Sequence, residues 1–189
     1  MRYVWIVIFY VLQLNLVWGQ TPVNQEVIEK KSIESQQVQH IAGIKVGEVL
    51  PSFAYPALDG ESISLQKMLD THSIVVVSYF ASWCGGCQYG IAQLETMVKM
   101  HPQMGVIYIS LGDRNLSQLQ KFVQQNQMSQ PVIWDKFQAI AKRHGLLGQQ
   151  DAVQLPITLL LNQEGVVLSI ILDEGEDFSS IVEGYLPKP

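Results

Sequence analysis

The chain contains two cysteines, and they stand three residues apart in Trp83-Cys84-Gly85-Gly86-Cys87. A pair at i and i+3 shares one side of a helical turn, within reach of a disulfide. Ahead of it runs an apolar, β-branched stretch, Ile74-Val75-Val76-Val77-Ser78-Tyr79-Phe80. Behind it, Cys87, Ile91, Leu94 and Val98 recur at spacings of four, three and four, the pattern of one helix face. The pair therefore belongs where a buried strand passes into a helix. Cys84 would lie beside N–H groups that have no partner inside the helix, at the positive end of its dipole. A thiolate is stabilised in such a place, and a thiol pKa ordinarily near 8.5 falls to about 3.5–7.5. Gly85 and Gly86 leave the turn unhindered, and Trp83 is placed to cover one side of the sulfur pair. The chemistry these residues support is that of a dithiol/disulfide centre, with no cofactor besides the Cys84–Cys87 disulfide.

Two structural uses of the pair compete poorly. A disulfide closing so short a loop constrains the unfolded chain little. A zinc site needs a second pair of ligands, and the four histidines, His40, His72, His101 and His144, are scattered without ligand spacing, so no metal site is expected. A third use is binding or delivery of Cu(I), for which a soft cysteine pair is suited and which Met97, Met100 and Met104 could assist. Methionines on a helix that must also pack are more often core filler.

The elements that must hold the pair follow in order along the chain. Pro51, Phe53 and Tyr55 punctuate an extended start, and Asp59-Gly60 marks a turn between two short strands. Ser64 is a cap for a helix over 65–69. A central strand over 74–80 is apolar throughout, as when both faces of a sheet are covered. The helix after Cys87 should run to about Met100, because Pro102 disfavours helix at His101. A second buried strand over 105–111 follows, then a helix over 116–125 capped by Asn115. Pro131-Val132-Ile133-Trp134 reads as a short strand, with Asp135 capping a helix over 136–144 that Gly145 ends. A strand over 157–161, a turn at Asn162-Gln163-Glu164-Gly165, an antiparallel partner over 166–172 and a last helix over 178–185 close the chain. Alternating strands and helices with a closing hairpin predict an α/β three-layer sandwich around a mixed central β-sheet.

Composition bounds the rest. The 189 residues are 48% hydrophobic and carry a net charge of −5. One domain with a full core fits that length. No lysine–arginine cluster exists to neutralise phosphates, which argues against nucleic acid. A short positive start, Met1-Arg2-Tyr3, precedes a largely apolar, uncharged stretch over 4–18 that ends at Gly19-Gln20. It is shorter than the ~20 apolar residues of a spanning helix, and Val17 and Gly19 suit a cleavage site. The expectation is a secretory signal peptide over 1–19, a polar spacer over 20–43 and the domain over 44–189. An uncleaved membrane anchor is the alternative for the first segment, and only then would the protein contact a membrane directly.

The combination resembles the thioredoxin superfamily, in particular its exported TlpA/ResA-like thiol–disulfide oxidoreductases. The resemblance is carried by Val46-Gly47-Glu48 with Pro51-Ser52-Phe53, Leu58-Asp59-Gly60, Phe80-Ala81-Ser82-Trp83-Cys84-Gly85-Gly86-Cys87, Trp134-Asp135, Gly145-Leu146 and Leu155-Pro156-Ile157-Thr158. It implies a thioredoxin-like fold in which Pro156 is cis and faces the cysteines, leaving the Leu155 backbone to pair with a substrate strand. It also implies Cys84 as nucleophile and Cys87 as resolving thiol, with Trp83, Gly85, Gly86, Leu155 and Pro156 in support. The partners implied are protein thiol or disulfide substrates, such as apocytochrome c or a copper-site protein, and a membrane thiol electron donor. The location implied is the bacterial periplasm or the outer face of the membrane. Two departures stand out. Ser78 occupies the place of a buried thioredoxin aspartate, and Gly90 and Ala92 stand where related proteins often carry glutamate and proline. A peroxiredoxin shares the similar domain start, but Trp-Cys-x-x-Cys argues against that reading.

Overall fold

A computed structural model describes residues 37–147, 153–172, 175 and 178–186. The chain divides into two units, Met1–Ser32 and Ile33–Pro189, and all described residues fall in the second. The expected signal peptide lies outside the described residues. Among those described, no helix is long and apolar enough to cross a membrane.

The strands are β1 (Gln37–Val38), β2 (His40–Ile41), β3 (Ile44–Lys45), β4 (Ala54–Pro56), β5 (Ser62–Ser64), β6 (Ile74–Phe80), β7 (Met104–Ser110), β8 (Val132–Trp134), β9 (Ile157–Asn162) and β10 (Val167–Ile171). The helices are α1 (Leu65–Thr71), α2 (Gly85–Met100), α3 (Leu116–Gln125), α4 (Ala139–Arg143) and α5 (Phe178–Glu183). A six-stranded sheet runs β1-β10-β9-β6-β7-β8. β6 is parallel to β7 and antiparallel to β9, and β9 and β10 form the closing hairpin.

The central strand β6 shows how sequence becomes layers. All seven of its residues are buried. Val76 and Phe80 point into one core with Cys87, Ile91, Leu94 and Met97 of α2, Leu119 and Phe122 of α3 and Phe178 of α5. Val75, Val77 and Tyr79 point into the other with Leu65 and Leu69 of α1 and Ile140 of α4. The period of two along the strand thus divides a uniformly apolar run between two helix layers. Gln93 ties α5 to α2, donating Nε2–H to the Gly175 carbonyl at 3.2 Å and accepting the Ser179 N–H at 3.1 Å.

Three expectations are corrected. The spacer expected over 20–43 gives way to structure before Gly43: β1 pairs with β10 at the sheet edge and β2 with β3 in a small hairpin. Gly43 approaches Gly145 so closely that a Cβ on it would lie 2.9 Å from the Gly145 Cα, and its N–H donates to the Gly145 carbonyl. So short and polar a segment carries no periodicity of its own; its structure comes from the domain it docks on. The helix read over 136–144 is shorter. Asp135 takes the Ala139 and Ala141 N–H groups with its two carboxylate oxygens, at 2.7 and 3.0 Å, and Gln138 turns left-handed at φ 55°. Asp135 still caps the helix, but from outside a tight turn. The last helix stops at Glu183, short of Tyr185.

Beneath β6, on the α4 side, the Tyr79 hydroxyl meets Nδ1 of His144, whose Nε2 lies 2.7 Å from the Pro51 carbonyl. The carbonyl can only accept, so Nε2 carries the proton and Nδ1 accepts from tyrosine. Burial holds His144 below the ordinary histidine range and pushes Tyr79 well above the ordinary tyrosine range, with the Asp135 charge adding to the latter. The histidine is therefore neutral in the fold. Below about pH 6.5 the unfolded chain takes up a proton that the folded chain refuses, so stability falls as pH drops through that window. Urea unfolding from pH 7.5 to 5 checks this. The stability gap between the parent protein and His144→Gln should narrow towards the acid end, and a constant gap would refute it.

Candidate active site

The cysteine turn sits at the upper end of β6, where the strand delivers Ala81 into a bend. Cys84 and Cys87 are joined in a disulfide with their Cα atoms 5.4 Å apart. Cys84 is the N-cap of α2, in extended geometry at φ −83° and ψ 100°, and its sulfur accepts the Cys87 N–H at 3.2 Å. The helix thus ends on a sulfur where a serine or aspartate oxygen commonly caps, and a thiolate there receives the same stabilisation. Cys84 keeps 8% of its surface exposed while Cys87 has none. Of the two residues, only Cys84 offers any surface to an incoming group.

The supporting residues gather around it. A Cβ on Gly85 would meet only open space, so that side of the turn is clear. A Cβ on Gly86 would lie 4.0 Å from Cδ of Pro156, which places that proline against the cysteine turn although 70 positions separate them in sequence. The Leu155–Pro156 peptide is cis. Leu155 is half-buried and packs against both cores, and Pro156 is buried. Trp83 is 67% exposed beside the disulfide.

The methionines do not join this group. At about 1.5 Å of rise per residue, Met97 and Met100 lie roughly 15 and 20 Å along α2 from Cys87. Met97 and Met104 are buried in the core, and Met100 is exposed. Among the described residues no cluster of three or more His, Cys, Asp or Glu side chains is placed to hold a metal ion.

One constellation was not anticipated from the residues alone. Asp113, just beyond β7, is 6% exposed and accepts three hydrogen bonds. The Ser82 N–H and the Ser110 hydroxyl donate to Oδ2 at 3.0 and 2.6 Å, and the Ser82 hydroxyl donates to Oδ1 at 2.5 Å. Its own carbonyl accepts the Trp134 indole N–H at 2.8 Å. The signal available in sequence is an aspartate three residues past a buried strand. What it binds follows from the β6–β7 register, which sets Phe80 opposite Ser110 and so brings both strand ends together.

Residues 46–170 match the model of the AhpC/TSA family. The chain belongs to that family. It is a redox-active, thioredoxin-like family. No curated protein matches the chain in sequence. Among solved structures, the thioredoxin domain of a thiol-disulfide oxidoreductase from Bacteroides vulgatus is 20% identical, with 76% of this chain and 99% of that one covered at a TM-score of 0.63. A thiol:disulfide interchange protein DsbE from Chlorobium tepidum is 23% identical over 75% of this chain and 94% of that one, also at 0.63. The peroxidoxin BcpB from Mycobacterium tuberculosis is 19% identical over 77% and 94%, at 0.59. At these identities the likeness is one of fold: a thioredoxin-like α/β sandwich with a mixed sheet.

Proposed function

We propose that this AhpC/TSA-family protein is an exported thiol–disulfide oxidoreductase that exchanges disulfides with substrate proteins through Cys84 and Cys87, acting as a reductant. The observation that carries the reading is the disulfide at the α2 N-terminus, with Cys84 at the surface edge, its sulfur held by the Cys87 N–H, and Cys87 fully buried. In the reduced protein the Cys84 thiolate attacks one sulfur of a substrate disulfide. A mixed disulfide forms and the other substrate sulfur leaves as a thiolate. Cys87 then loses its proton and attacks the Cys84 sulfur. This restores the Cys84–Cys87 disulfide and releases the second substrate thiol. Two electrons have passed to the substrate, and a membrane thiol donor returns them by the same chemistry in reverse. Position supports the remaining site assignments in this reading: Leu155, ahead of β9, offers backbone to an extended substrate segment, Pro156 closes the far side of the turn, and Gly85 leaves the approach open. The reading places the protein in the periplasm or at the outer face of the membrane, with apocytochrome c or a copper-site protein as substrate class.

Reduction of a protein disulfide by the dithiol form, followed by mass measurement of the regenerated Cys84–Cys87 bond, tests the function. Peroxide consumption is the counter-measurement, since one similar structure is a peroxidoxin. Turnover of peroxide without turnover of disulfides would replace the proposal.

Trp83 gives a second check. An exposed indole beside the reactive sulfur offers a large, rigid contact area. Trp83→Ala should raise KM for protein disulfides about tenfold, the cost of losing roughly 1.4 kcal/mol of binding. Its Tm should move little, because the ring buries little of itself. Unchanged KM with a Tm lowered by several degrees would make the ring structural.

A further inference from the structure

A buried carboxylate is costly unless it is fully hydrogen-bonded, and Asp113 is satisfied by donors that carry no formal charge. No cation forms an ion pair with it among the described residues. Its negative charge is spread by dipoles without being cancelled. Two of the three bonds fasten Ser82, two positions ahead of Cys84, and the third fastens Ser110 at the end of β7. The adjoining Gly112, at φ 87°, lies against the Trp83 ring: a Cβ there would stand 3.6 Å from Cζ2. The Asp113 loop therefore braces both residues that lead into the reactive cysteine.

We propose that Asp113 is a positioning residue for the cysteine pair, holding the turn that presents Cys84 and, through its charge, weighting the pair towards the disulfide. The inference rests on the dithiol exchange proposed above. A turn that needed only hydrogen bonds could be held by a neutral side chain. A carboxylate adds a field, and in a poorly solvated site a like charge disfavours the Cys84 thiolate. The thiolate belongs to the reduced form, so the field makes the dithiol readier to give up its electrons. Asp113 is thus a source of reducing character for the pair.

The test is equilibration of the full chain with glutathione. Two glutathione molecules reduce the Cys84–Cys87 disulfide and leave as one molecule of oxidised glutathione. Asp113→Asn keeps the size and the oxygen that serves Ser82 N–H and Ser110, but removes the charge. It should favour the dithiol three- to tenfold, about 30 mV at the upper limit. Alkylation of reduced Cys84 by iodoacetamide at pH 6 should accelerate to match. Ser82→Ala leaves the charge in place with one donor fewer, so its equilibrium should move the opposite way, by up to about threefold. This second variant decides the matter if the asparagine variant does not fold. Shifts of both variants in the same direction, or none beyond twofold with only a lowered Tm, overturn the role of Asp113. If the unaltered protein exchanges no disulfide with glutathione, the proposed function fails first and takes this role with it.

Discussion

Cys84→Ser will abolish disulfide exchange, and Cys87→Ser will turn the protein into a trap. These opposite outcomes follow from where the two sulfurs lie. Cys84 alone reaches the surface, and its sulfur alone receives the N–H of the helix end. A serine hydroxyl there is not ionised at neutral pH and cannot open a disulfide, so the rate should fall to the uncatalysed background, a loss of several orders of magnitude. Cys87→Ser leaves that attack intact and removes only the second one. Mixed disulfides with substrates should accumulate, to be seen on a non-reducing gel and dispersed by dithiothreitol. No other cysteine exists to resolve them. If both variants trap equally, or neither does, the assignment of roles is wrong.

Resolution of the mixed disulfide will be slow near pH 7 and will climb as pH rises, by about tenfold per unit until Cys87 itself titrates. Cys87 is completely buried, and burial disfavours the thiolate that must form before it attacks. A positioned base would accelerate that proton transfer by about 10²–10⁴. Ser78, buried within β6, and Gly90, buried on α2, offer no carboxylate. Glu95 is the buried acid further along the same helix, but it is engaged elsewhere. Its oxygens accept the Ser129 hydroxyl at 2.5 Å and the Gln130 N–H at 3.5 Å, which ties α2 to the segment before β8. Asp113 is likewise occupied by three donors. Glu174 and Glu176 lie outside the described residues. Stopped-flow release from a Cys84 mixed disulfide between pH 6 and 10 measures the profile. A plateau beginning near pH 7 would show that a base is already in place, and losing that plateau in Glu174→Gln or Glu176→Gln would identify it.

Much of this site is legible in the amino-acid sequence alone. The strand over 74–80, the helix from Gly85 to Met100, the Asn115 cap and the left-handed Gly145 after α4 are dictated by neighbours within a few residues. Strand and helix periods and capping groups act at that range, and so does the i, i+3 spacing that lets Cys84 and Cys87 join. The net charge of −5 is equally a property of the sequence.

Tertiary structure decided the contacts between distant positions. Ser82 meets Asp113 across 31 residues, Tyr79 meets His144 across 65, and His144 meets Pro51 across 93. No local period encodes such pairs. They arise because parallel pairing of β6 with β7 aligns the strand ends, and because β9, inserted antiparallel beside β6, returns Pro156 to Gly86. The same holds for residues 37–38, too short and polar to declare a strand until β10 offers them an unpaired edge. The disulfide pair is therefore a local property of the chain, since two sulfurs on one helical turn need nothing further to meet. The field around the pair belongs to the fold, because a carboxylate acts on a thiolate through space and only the packed sheet brings Asp113 to the turn before Cys84.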